Sequence, residues 1–271
     1  MGIISDELLI QEGEKIVRLA ERQGVILRLI GALAVRLHSE EFSGLHKKMD
    51  RLGNGGKYSF TDIDFVAYSN QRKNVLSLFE KKLKYEPDNY VMALFGKSRC
   101  IYYNPQEHYH VDIFFDKLEF SHDIFFGSKP GKGRLELDNP TITVSDLFLE
   151  KAQIHEINEK DIKDLIVLLR AHDIGEEDKQ QIINAKYISN ILADDWGFWY
   201  DAKLNLNKVN LFANQYHKKG LLSAEDLMDV KNKIDVLLKI IDEAPKTKKW
   251  VKRAKKGTNK CWWRKVEEVV R

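Results

Sequence analysis

The chain has 271 residues, enough for one large or two modest domains, and its 43% hydrophobic and 31% charged residues exclude a disordered or fibrous chain. Its 44 basic and 41 acidic side chains nearly cancel, so bulk charge points to no partner and only local clustering is informative. Cys100 and Cys261, the only cysteines, exclude a disulfide framework and a CxxC zinc or redox pair, which fits a reducing, cytoplasmic compartment.

The first residues lack a basic region followed by an apolar core, and Asp6 stands where a myristoylation pattern needs Ser or Thr. Residues 6–23 place Leu8, Leu9, Ile16, Val17 and Leu19 at near-helical spacing, with Ser5 as N-cap and Gly24 as the stop. Val25-Ile26-Leu27-Arg28-Leu29-Ile30 reads as a strand, Gly31-Ala32 as a tight turn, and residues 33–41 as a helix. Residues 25–37 form the longest apolar stretch, but Arg28 and Arg36 interrupt it and it is too short to span a bilayer, so no membrane partner is expected. The small side chains at Gly31 and Ala32 would leave backbone N–H groups at a helix N-terminus, a geometry that suits phosphate. The polar run 43–57 does not fit a Walker loop, because Arg51 takes the place of the first glycine, and it reads as a mobile loop.

Thr61-Asp62-Ile63-Asp64-Phe65-Val66-Ala67-Tyr68 is an apolar strand that begins with two acids one residue apart. Side chains alternate along a strand, so Asp62 and Asp64 share a face with Cα atoms about 6.5–7 Å apart. Two carboxylates on one face repel unless a cation lies between them. A helix over 71–83 and strands over 90–95, 99–103 and 109–115 follow, punctuated by Asn89, Gly96, Asn104 and Pro105. The last of these holds Asp112 in apolar company, where an uncompensated carboxylate costs several kcal/mol; beside Asp62 and Asp64 it would complete a metal-binding triad. His108, His110 and Asp112 offer a competing zinc set, although Ile113 stands where the next histidine of a metallo-β-lactamase-like run belongs.

Short strands over 134–137 and 141–144 precede a helical half. Ser145 is the expected cap of a helix through Ile157, and Asn158 of the next, with Asp161 as its reciprocal capping-box acid. Helices are expected over 176–192, 196–218 and 224–242, the last opened by Ser223 with Asp226 at the capping-box position. Lys151 reads as an exposed helix lysine, the aromatic run 196–200 as interhelical packing, and Asp194 and Asp195 as helix-terminal charges. Residues 246–265 hold ten Lys or Arg and no acid, interleaved with Trp250, Trp262 and Trp263. Such a tail either binds RNA or a polyphosphate, or docks its tryptophans and leaves its charges in water.

Gly31-Ala32-Leu33-Ala34-Val35-Arg36, Thr61-Asp62-Ile63-Asp64 and Val111-Asp112-Ile113-Phe114 together resemble the nucleotidyltransferase superfamily of DNA polymerase beta. The likeness is greatest to minimal nucleotidyltransferases of the antibiotic-modifying and abortive-infection toxin type, and to a wider nucleotidyltransferase-like group. Leu149-Glu150-Lys151 and Lys160-Asp161-Ile162-Lys163-Asp164 stand where those proteins carry a lysine helix and a Lys-Asp-x-x-Asp helix. Ala32 replaces their second Gly or Ser, and the loop over 42–58 is longer. The resemblance covers residues 25–170. It implies an α+β chain: an N-terminal nucleotidyltransferase domain over 1–144, with a mixed sheet flanked by helices, then a C-terminal helical bundle over 145–271.

The resemblance further implies catalytic and metal-binding Asp62, Asp64 and Asp112, two Mg²⁺ ions, and nucleotide-binding Gly31, Ala32, Arg36 and Lys151. The implied reaction moves an NMP from an NTP to an acceptor hydroxyl on a small molecule, RNA or protein; the basic composition of residues 246–265, not the resemblance, is what makes RNA a candidate acceptor. The alternatives are a degenerate nucleotide- or RNA-binding module of the same fold and a zinc hydrolase on His108, His110 and Asp112.

Overall fold

Gly13 on the first helix seats it closely on its neighbours: an added Cβ would lie 3.0 Å from Leu29 Cδ2 and 3.6 Å from Ile63 Cγ2. The computed structural model describes residues 4–107 and 109–265. The chain is α+β and divides into two units, Met1–Leu37 with Leu52–Leu118 and Phe125–Thr143, and His38–Arg51 with Glu119–Ile124 and Val144–Arg271. No helix among the described residues is long and apolar enough to cross a membrane.

The first unit is built on a five-stranded mixed sheet of β1 (Leu27–Ile30), β2 (Ile63–Ala67), β3 (Glu86–Pro87), β4 (Arg99–Tyr103) and β5 (His110–Phe115), ordered β1-β2-β5-β4-β3. Only β2 and β5 pair in parallel; β1 with β2, β5 with β4 and β4 with β3 are antiparallel. Helix α1 (Asp6–Glu21) opens it, capped by Ser5, whose side chain accepts from Leu8 N–H. Helix α2 (Gly31–His38) starts directly after β1, with no turn residues between them.

Local chemistry overrides several expected elements. Residues 43–57 are not a featureless loop: α3 (Ser43–Lys48) forms there. Residues 72–83 are helical, as α4 (Arg72–Ser77) and a wider turn over Leu78–Leu83. The apolar run 90–95 is helix α5 (Asn89–Phe95) rather than strand, because the Asp88 side chain accepts from Val91 N–H and Gly96 ends it. Residues 134–137 form no strand, and Thr141 makes a single parallel bridge to Leu29.

The second unit is mostly helical: α6 (Val144–Ala152), α7 (Glu159–Ala171), α8 (Ala185–Asp194), α9 (Trp196–Lys218), α10 (Ala224–Glu243) and α11 (Lys248–Ala254). Helix α10 packs against α7, α8 and α9 and opens with the full Ser223/Asp226 capping box. Ser145 does not cap α6; it lies inside the helix and its Oγ accepts from Asn184 N–H at 2.7 Å. Asn184 caps α8, so the expected helix over 176–192 starts only at Ala185, after a short strand at Ile182–Asn184.

Candidate functional site

Alternation along β2 puts Ile63 and Phe65 wholly inside the core and leaves Asp62 and Asp64 half-exposed, the pattern expected of two acids on one face. In the parallel β2–β5 ladder Asp64 pairs in register with Asp112. Across the antiparallel β1–β2 ladder Asp64 pairs with Ile30, the residue before Gly31. Gly31 has φ +70°, and an added Cβ would lie 2.7 Å from Asp64 Oδ2. The helix start and the acid strand thus approach through a space only glycine leaves open. Ala32 and Arg36 are half-buried on α2 in the same unit.

Asp112 is 4% exposed, and its counter-charge comes from Arg99. Arg99 Nε donates to both carboxylate oxygens at 3.0 Å, and Nη2 forms a further contact with Oδ2. Burial alone would lower the Arg99 pKa, but its hydrogen bonds to Asp112 and the charges of Asp112 and Asp64 raise it above its ordinary value. Asp62 Oδ2 lies 3.3 Å from His110 Nε2. Among the described residues no three metal-ligating side chains are gathered tightly enough to hold an ion. Carboxylate oxygens are the hard donors that Mg²⁺ takes, but Asp62 lies just before β2 and both Asp112 oxygens are engaged by Arg99, so the three acids are not gathered into a ligand set. The zinc set is not assembled from what can be described, because His110 is directed to Asp62 and His108 lies outside the described residues.

Comparison with models of known protein families, with characterised proteins and with solved structures returns no match.

Lys151 is not the exposed helix lysine its sequence suggests, nor does its position leave it for a nucleotide. Every residue of α6 is buried, and Lys151 lies in the second unit with its Nζ 3.0 Å from Asp161, 3.3 Å from Asp164 and 3.5 Å from Glu150. Burial would push its pKa down; the three carboxylates more than reverse this and hold it well above the usual lysine value. Asp161 accordingly turns to Lys151, while Asn158 caps α7 by accepting from Asp161 N–H. Asp164 receives Arg51 at 2.7 and 3.0 Å, and His46 Nε2 lies 3.1 Å away. Burial would raise the Asp164 pKa, but Arg51 and Lys151 hold it well below the usual carboxylate range. The Lys-Asp-x-x-Asp helix therefore forms a buried charge network that also fastens α3 and Arg51 within the second unit.

Arg99 is the site residue that sequence reasoning missed. Its position at the head of an apolar run, Arg99-Cys100-Ile101-Tyr102-Tyr103, signals a charge at a strand end. Only the β4–β5 register, Ile101 opposite Asp112, brings the guanidinium to the acid. A separate cavity of about 820 Å³, lined by Ser69, Arg72, Lys97 and Asp116, lies at the C-terminal ends of β2 and β5, whereas Asp64 and Asp112 are toward the N-terminal ends.

Proposed function

We propose that the chain is a nucleotidyltransferase that moves an NMP from an NTP to an acceptor hydroxyl at Asp62, Asp64 and Asp112. The observation that carries this reading is the register pairing of Asp64 with Asp112 on adjacent parallel strands, with Gly31 at a helix start against the Asp64 carboxylate. Two Mg²⁺ ions bound by the three carboxylates would supply charge neutralisation of the triphosphate and acidify the acceptor hydroxyl.

The chain's own groups do the rest. The start of α2 at Gly31 and Ala32 faces phosphate oxygens, where helix N–H groups and dipole favour negative charge. Arg36, one helical turn along, adds a cation. Asp112 takes the acceptor proton as the acceptor oxygen bonds to the α-phosphorus and the bond to pyrophosphate breaks in line. For that, Arg99 must release at least one Asp112 oxygen; until then it keeps the carboxylate charged and fixed in orientation. Lys151 has no part in this reading.

The test is incubation with α-labelled NTPs, Mg²⁺ and total cellular RNA or protein. One fraction becomes labelled with the wild-type chain and none with Asp62→Asn; labelling that persists in the variant refutes the assignment. The Arg99 contact on Asp112 favours a second reading, a nucleotide-binding module of the same fold without turnover. Mg²⁺-dependent thermal stabilisation by NTPs without pyrophosphate release identifies it.

A further inference from the structure

Nine of the ten cations of residues 246–265 divide into two sets. Some hold the segment onto the second unit. Lys246 Nζ donates to the carbonyls of Ile241, Asp242 and Ala244 at the end of α10. Lys249 pairs with Asp194 at 2.9 Å. Arg253 donates to the carbonyls of Gly257, Lys260 and Cys261 and lies 4.7 Å over the Trp196 ring. Arg264 reaches the Phe120 carbonyl and Asp123. By contrast Lys248, Lys252, Lys255, Lys256 and Lys260 are exposed and make no ion pair or side-chain hydrogen bond among the described residues.

The tryptophans belong to the holding set. Trp250 packs edge-on to Trp199 at 5.1 Å, Trp263 stacks on His155 at 4.1 Å, and Trp262 meets Tyr200 at 5.2 Å. Trp262 Nε1 also donates to Asp201 Oδ1 at 3.0 Å. Gly197, in the first turn of α9, permits this seat, since an added Cβ would lie 2.7 Å from the Trp262 carbonyl oxygen. The segment is thus a strap fastened by its aromatic and arginine side chains and by Lys246 and Lys249, with the other lysines left outward. Lys248 and Lys252 share one face of α11, its C-cap Lys255 continues the i, i+4, i+7 spacing with successive Cα atoms about 4.5–6 Å apart along the axis, and the exposed Lys256 and Lys260 extend the row beyond the helix.

We propose that this lysine face binds the phosphate backbone of a nucleic acid strand by charge, without base stacking. A row of exposed ammonium groups that make no ion pair among the described residues, with no acid among residues 246–265, complements a polyanion of regularly spaced phosphates. All three tryptophans, half-buried, have their rings engaged with Trp199, Tyr200 and His155, which takes them from the aromatic platform that sequence-tolerant stacking would use. The same engagement removes the aromatic anchors that insertion into an anionic membrane would use. The proposal does not depend on the acids of the first unit.

The experiment is fluorescence anisotropy of the full chain with labelled poly(U), poly(A) and single-stranded DNA across a salt series. Five phosphate contacts on a single strand give a log–log slope of about −3.5, which is about a 100-fold loss of affinity between about 50 and 200 mM salt. All three polymers bind alike and leave tryptophan emission unchanged. A variant carrying Lys248→Gln, Lys252→Gln, Lys255→Gln and Lys256→Gln keeps the wild-type tryptophan emission and near-UV circular dichroism, and its slope falls to about −0.7. Asp62→Asn binds as the wild type does, which separates this surface from the transferase site. Undiminished binding by the lysine variant, salt-independent binding, quenching of tryptophan by poly(A) but not poly(U), or tighter binding to phosphatidylserine vesicles than to RNA overturns the proposal.

Discussion

Gly31 and Asp64 contend for one volume, and the outcome reports on both. At φ +70° an L residue is strained by about 1–2 kcal/mol, and a methyl group 2.7 Å from Asp64 Oδ2 turns the carboxylate aside. Gly31→Ala is therefore expected to lower stability by about 1–2 kcal/mol and, in the transferase reading, to cut turnover by more than that stability loss explains. Urea midpoints alongside single-turnover rates check this; unchanged turnover at the reduced stability would show that Asp64 needs no room there. The acids were legible because carboxylates in apolar strands violate the pattern around them. Arg99 was not, since nothing local ties it to a residue 13 positions away on the next strand.

Among the elements, α9 and α10 could be read to within a residue because both combine long amphipathic periodicity with capping by Asp195 and Ser223. Residues 90–95 could not: six apolar residues satisfy either a short strand or a short helix, and the Asp88 cap decides between them. Helix α7 carries the element-scale prediction at its C-cap, His172, which is buried with Nε2 3.3 Å from Ser39 Oγ. Burial first, then His38 and Lys233, lower its pKa to about 4 against the opposing pull of a backbone hydrogen bond at Gln181 and the charge of Asp173. Below about pH 6.5 the unfolded chain takes up this proton and the native chain does not, so stability falls with pH until the folded pKa is passed. The loss between pH 7 and pH 5 is about 2 kcal/mol. Asp164, also depressed, contributes above its unfolded value near 3.9 and loses that contribution only as pH falls toward its lower folded value, outside this window. In urea titrations at the two pH values His172→Gln should lose about 2 kcal/mol less than the wild type; equal losses would mean that His172 titrates normally.

At the scale of the whole molecule, the break near residue 144 was legible from the change of strand-like to helix-like periodicity. The assignment of His38–Arg51 and Glu119–Ile124 to the helical unit was not. Those segments are fastened by contacts over great sequence separation, Arg51 to Asp164 at 113 residues and Arg264 N–H to the Ser121 carbonyl. Short, mostly polar runs give no local sign of such partners. The Lys-Asp-x-x-Asp helix shows the same limit, since its sequence suggests a capping-box role for Asp161 whereas its side chains close a buried ion network.

The central claim is that Asp62, Asp64 and Asp112 act as one metal-assisted transfer site. Its most direct test is Mg²⁺-dependent pyrophosphate release from a mixture of the four NTPs with total cellular RNA or protein as acceptor, with wild type compared with Asp64→Asn, a half-exposed position where the fold can be verified by circular dichroism. The account predicts release by the wild type that disappears with EDTA and falls to the enzyme-free background in the variant. Release by a folded Asp64→Asn chain at the wild-type rate would contradict it.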